Sequence, residues 1–199
     1  MPKQNHYTPY LTSLFFFKLA VGATLLATSW DTLSFSENKL LNVAIMMALS
    51  FLPAAFARPL FNFCKFNLQK LLVVGFGSSA IFILLVGRTL ITNIEIAFIL
   101  NFILWIAIFL VEVSLEKWYV TLSQNPDPQA IRKLSGISTS IAQIGIILGP
   151  GLVIITEGFG HMVPYFFITM SFLLAAISPL RTNLKNKAQT NSKIFGKIM

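Results

Sequence analysis

Three ionisable side chains stand inside long apolar stretches of this sequence: Lys18, Asp31 and Glu112. A charge held in hydrocarbon costs about 3 kcal/mol even on lenient scales. A residue of this type in such a place therefore either faces a cavity, where it can bind a substrate or carry a proton, or reaches a nearby interface with its stem. Asp31 and Glu112 each lie near an end of their stretch, so an interface is close by. Lys18 lies about two turns in from its boundary, where both readings stay open. No other grouping offers chemistry. There is no Ser-His pair, carboxylate dyad or His cluster at a membrane face, so no enzyme is expected. His6 and His161 are far apart and no Cys or His pair stands at ligand spacing, so neither a metal nor a cofactor is expected. Cys64 is the sole cysteine, which excludes an intramolecular disulfide.

The elements that position these residues follow from composition. Of 199 residues, 55% are hydrophobic and 11% charged, and mean hydropathy is +0.74. A soluble domain carries roughly 25% charged residues to cover itself in water. The apolar residues also form blocks, where an amphipathic helix would carry a stripe. Six blocks approach the roughly 20 residues that a membrane-spanning helix needs. They run over Leu11 to Leu33, Leu40 to Leu60, Leu71 to Val86, Ile94 to Leu115, Leu134 to Ile155 and Met162 to Leu180. The predicted class is all-α: a polytopic membrane protein with one six-helix domain over 1–180 and a basic tail over 181–199.

Charge distribution predicts orientation. The net charge of +8 could point to nucleic acid, but in a membrane protein basic residues collect on the cytoplasmic side, so no nucleic-acid partner is expected. With the N-terminus inside, 12 of the 15 Lys and Arg fall on that side, Lys39 and Arg88 fall outside, and Lys18 lies in the membrane. Both termini are thus placed in the cytoplasm. The first block has no small-x-small cleavage site after it, so it is read as a retained helix rather than a cleaved leader. A bacterial inner membrane is the expected location and membrane lipid the surrounding partner.

The most specific pattern lies in the fifth block. Gly136 is followed by eight residues, then Gly145, three residues, and Gly149-Pro150. Gly145 and Gly149 form a G-x-x-x-G face that admits a close neighbour, and Pro150 is expected to bend the helix. This run resembles the antiporter signature of the major facilitator superfamily, as found in its drug and siderophore exporters. In that family it ends in Gly-Gly, where this chain has Val153-Ile154. Between the second and third blocks, Leu52-Pro53, Arg58-Pro59-Leu60 and the run from Cys64 to Leu72 resemble the family's basic loop. Lys65 and Lys70 keep its basic positions, Cys64 stands at its acid and Arg58 at its leading glycine. Family resemblance implies that this loop is a conformational latch.

The resemblance covers about Leu40 to Leu180 and matches the N-terminal half of such a transporter. A complete one has two six-helix halves with the substrate between them. The expected function is therefore small-molecule transport, by efflux, as a homodimer or beside a second six-helix half. The alternative is a truncated, non-transporting membrane protein with an accessory or self-resistance role. The first helix, with Lys18, Thr24, Thr28 and Ser29, is expected to carry the polar positions of the boundary between halves.

Overall fold

A computed structural model of the chain describes residues 7–35, 38–56, 67–124 and 128–182. Six helices alternate in direction: α1 (Thr8–Phe35), α2 (Lys39–Phe51), α3 (Leu68–Thr92), α4 (Ile94–Ser123), α5 (Pro128–Glu157) and α6 (Met162–Arg181). All six are long and apolar enough to cross a membrane when the turn after α2, to Phe56, is counted with it. The described residues contain no strand. The chain is a multi-pass helical membrane protein.

Helix limits are set by local chemistry. All helices but α2 run further than their apolar blocks, because a helix continues through a membrane boundary until a capping residue or a proline ends it. Asn67 opens α3, its side-chain oxygen accepting from the Gln69 amide at 3.1 Å. Asn93 separates α3 from α4, and its Oδ1 accepts from the amides of Glu95 and Ile96, each at 3.1 Å. Pro128 stands at the first position of α5, where a missing N–H costs nothing. The expected end of the third helix at Gly87-Arg88 is corrected: α3 runs through both to Thr92. The second block is shorter than expected as a regular helix. Its ladder ends at Phe51, since Pro53 lacks the N–H to extend it, and one further turn is closed by Phe56 N–H donating to the Pro53 carbonyl at 3.0 Å.

α1 is the central helix and packs mainly against α5, α6 and α2. α3 joins α4 and α6, and α2 bridges α1 and α4. The aromatic centre of the bundle is Phe17, which meets Phe76 edge-on at 5.9 Å and tilts against Phe172 at 6.5 Å. Most buried hydroxyls are bonded to backbone, while Asn101 Oδ1, Trp105 Nε1 and His161 Nδ1 have no hydrogen-bond partner among the described residues. Thr24, Thr28 and Thr32 each donate to the carbonyl one turn back, at 2.8, 2.8 and 2.6 Å. Ser13 donates across to Ala175 O at 2.8 Å, and Asn101 of α4 donates to Ser50 Oγ of α2 at 3.1 Å.

This corrects the expectation for the first helix. Thr24 and Thr28 are wholly buried within the chain rather than placed on a face toward a second half. Their hydroxyls are satisfied within their own helix, so they can be enclosed by apolar neighbours without cost. The least enclosed helices are α2 and α5. α5 lies on the outside of the bundle, held almost entirely by α1.

Candidate functional site

α5 grips α1 through glycine. A Cβ added to Gly149 would stand 2.5 Å from the Ala23 amide nitrogen and 3.0 Å from the Gly22 carbonyl carbon. One added to Gly145 would stand 2.9 Å from Phe15 O and 3.1 Å from Lys18 Cβ. The contact is reciprocal, because a Cβ on Gly22 of α1 would collide with the Ile146 carbonyl. That carbonyl is one turn before Pro150, which has no N–H to offer it. Proline and glycine thus act together: the carbonyl that Pro150 releases lies against Gly22, where the backbones approach closely enough for C–H···O contact. α5 runs as a helix through Pro150 without interruption.

Gly136, the first glycine of the sequence pattern, does not share this face. A Cβ there would meet nothing within 4 Å. The reason is angular: Gly145 and Gly149 are one turn apart, whereas Gly136 is nine residues before Gly145, which is half a helical turn out of phase.

The close approach of α5 seats Lys18. Its ammonium forms an ion pair and hydrogen bond with Glu112 Oε1 of α4. The side chains keep only 20% and 33% of their exposure, and Lys18 Nζ stands 5.5 Å from the Phe17 ring centre. Glu112 is therefore not simply reaching for an interface; its carboxylate has a cationic partner inside the bundle. A membrane charge so paired escapes much of the cost of lying out of water.

The pair lines a cavity of about 450 Å³ between α1, α4 and α5. α4 and α5 scarcely touch, and α1 meets α4 along few residues, so the space opens where packing is thinnest. Tyr10, Glu116 and Tyr119 line it near the pair, and α5 contributes Ser135, Ser138 and Thr139. Glu112, Glu116 and Tyr119 stand at i, i+4 and i+7, one face of α4. The sequence reading missed Glu116 and these hydroxyls, although that spacing is visible in the sequence. The volume lies within the roughly 300–1,000 Å³ of small-molecule sites, and the lining joins aromatic walls to two carboxylates and one ammonium.

Asp31 is not part of this cavity. It lies toward the other end of α1, where Tyr165 Oη donates to Asp31 Oδ2 at 2.6 Å. His161 Nδ1 stands 3.1 Å from the same oxygen without hydrogen-bond alignment, and its Nε2 lies 2.9 Å from the Gly87 carbonyl of α3. Tyr165 fits because Gly87 leaves room: a Cβ there would come within 2.5 Å of the Tyr165 ring. This cluster ties α1, α3 and the start of α6. His161 and Tyr165 carry no sequence signal of that role, since their partners are more than 70 residues away in the chain.

Of the loop positions, Lys70 is placed in the first turn of α3, exposed, rather than in a loop. Lys65 lies outside the described residues, as do Cys64 and Arg58.

Set against known proteins, the chain matches no family model, and no curated protein or solved structure is significantly similar to it. The class defined by fold and site is thus that of a multi-pass helical membrane protein with a cavity among its helices whose largely apolar wall carries an ion pair.

Proposed function

We propose that the chain is a facilitator-type half-transporter that moves a small molecule out of the cell, with its substrate in the cavity beside Lys18 and Glu112. The observation that carries this reading is the ion pair itself, lodged in a membrane protein at the wall of a cavity of small-molecule size. A purely structural pair is commonly replaceable by apolar packing without loss of stability. A pair at a cavity wall can exchange its partner for a substrate or a proton.

The packing supports a moving part. α1 and α5 are joined by backbone contact through Gly22, Gly145 and Gly149, whereas α4 is anchored to α3. Lys18 and Glu112 bridge these two groups across the cavity. Opening the pair would let α1 and α5 part from α4 at the cavity end while α2 and α6 still hold α1 to the other helices, and closing it would draw them together, which is a two-state element of the kind that alternating access needs. The basic end of the bundle, with Lys70, Lys117, Arg132, Lys133 and Arg181, is taken to face the cytoplasm of a bacterial cell. Tyr10, Glu116, Tyr119 and Ser135 in the cavity wall lie toward that end, which suits intracellular capture and efflux.

Retention of a panel of fluorescent amphipathic compounds in expressing cells tests this. Wild-type protein should lower the retention of at least one compound. Glu112→Gln and Lys18→Met should each abolish the effect at equal protein level. Equal retention with and without the protein across anionic, neutral and cationic probes would overturn the reading.

A further inference from the structure

The outward face of α5 presents a polar amide to lipid. Gln143 is exposed and is the sixteenth of the 30 residues of α5. At 1.5 Å per residue it stands about 20 Å from either end of the helix, close to the bilayer midplane. Among the described residues, no group hydrogen-bonds the side chain of Gln143 or Ser140. On the helical wheel Ser140 and Gln143 fall together with Gly136 and Ile147, opposite the buried face of Ser138, Gly145 and Gly149. Hydrocarbon offers no partner to an amide, so an uncovered Gln143 is costly in a membrane.

From these observations we infer that this face of α5 is an interface with a second copy of the chain, in which the two Gln143 amides hydrogen-bond to each other. The chemistry favours a copy over other occupants. Two copies inserted in the same orientation are related by an axis along the membrane normal, so each residue on the axis meets its own counterpart at the same depth. An amide is both donor and acceptor, and two of them facing each other satisfy one bond in each direction. A serine hydroxyl is self-complementary in the same way. The absent side chain of Gly136, whose Cβ position is open, leaves room for the helices to approach. No charge lies on this face within the span. Arg132 and Lys133 stand near the start of α5, where water can separate them from their counterparts.

The interface also borders the cavity, because Ser135 and Thr139 on the adjoining flank of α5 line it. The inference needs only that α5 spans a bilayer and does not depend on transport.

Cross-linking of the full chain in native membranes tests it, with Cys64→Ser as background. Ile147 and Leu148 are neighbours at nearly one depth, exposed by 72% and 48%, but point about 100° apart. Ile147→Cys should give a band of twice the chain's mass on oxidation, and Leu148→Cys should not. Adding Gln143→Leu to Ile147→Cys should weaken association at least fivefold and lower the dimer fraction accordingly, since two interhelical hydrogen bonds at about 0.6 kcal/mol each are lost. The amount in the membrane and the thermal midpoint of the dissociated single chain in detergent should stay unchanged, because the Gln143 side chain is exposed and makes no hydrogen bond within one chain. Absence of the Ile147 dimer, equal cross-linking at Leu148, insensitivity to Gln143→Leu, or a band with a different partner's mass would each overturn the proposal.

Discussion

Lys18 and Glu112 meet at matching depth from the same end of the bundle. Lys18 is the eleventh residue of α1 and Glu112 is eleven residues before the end of α4, so the antiparallel helices bring the two charges level. Gly145 then sets the position of the lysine stem by admitting α5 against its Cβ. One glycine, one ammonium and one carboxylate thus join three helices around the cavity.

Removing one partner of this pair should cost more than removing both. Lys18→Met and Glu112→Leu should each lower stability by about 1–3 kcal/mol, below the fully buried range because both groups keep some exposure. The double variant should recover at least half of the loss. Thermal unfolding of the purified proteins in detergent would show this, and additive losses would mean that the two charges do not interact.

Gly149→Ala and Gly136→Ala offer a matched comparison on one helix. At Gly149 the added methyl meets α1 backbone, which cannot rotate away, so a loss of about 2 kcal/mol or more is expected. At Gly136 the space is open, and stability of the single chain should be unchanged or slightly raised, since alanine is the better helix former. Similar midpoints for the two variants would contradict the packing of α5 on α1.

Tyr165→Phe removes the hydroxyl that donates to Asp31 and should cost about 1.5–3 kcal/mol, the range for a hydrogen bond to a charged group. Asp31→Asn should cost no more, because an amide oxygen still accepts from Tyr165. Hydrogen exchange in α6 should rise near Tyr165 in the phenylalanine variant. Unchanged exchange there would show that the hydroxyl does not hold α1 and α6 together.

The orientation is checked by the sole cysteine. Cys64 follows the second apolar block, and the distribution of Lys and Arg in the sequence predicts that it faces the cytoplasm. A membrane-impermeant thiol reagent should leave it unmodified in intact cells and label it after permeabilisation. Labelling of intact cells would reverse the orientation.

The sequence alone determined that six helices cross the membrane, because a span is decided by local composition and length, which need no tertiary contact. It also marked Lys18, Asp31 and Glu112 as costly residues and the Gly145–Gly149 face as a packing surface. It did not pair them. Lys18 and Glu112 are 94 residues apart, and which helices become neighbours depends on side-chain packing rather than on hydropathy, since lipid is as apolar as leucine. For the same reason Thr24 and Thr28 look in the sequence like positions at a boundary between halves: a hydroxyl looks polar there, and only the tertiary structure shows each one bonded to its own helix and enclosed. Gln143 is the converse case. One glutamine among apolar residues carries no distinct signal in a sequence, and its exposure follows only from α5 turning its glycines toward α1, which leaves the amide on the far side of the helix.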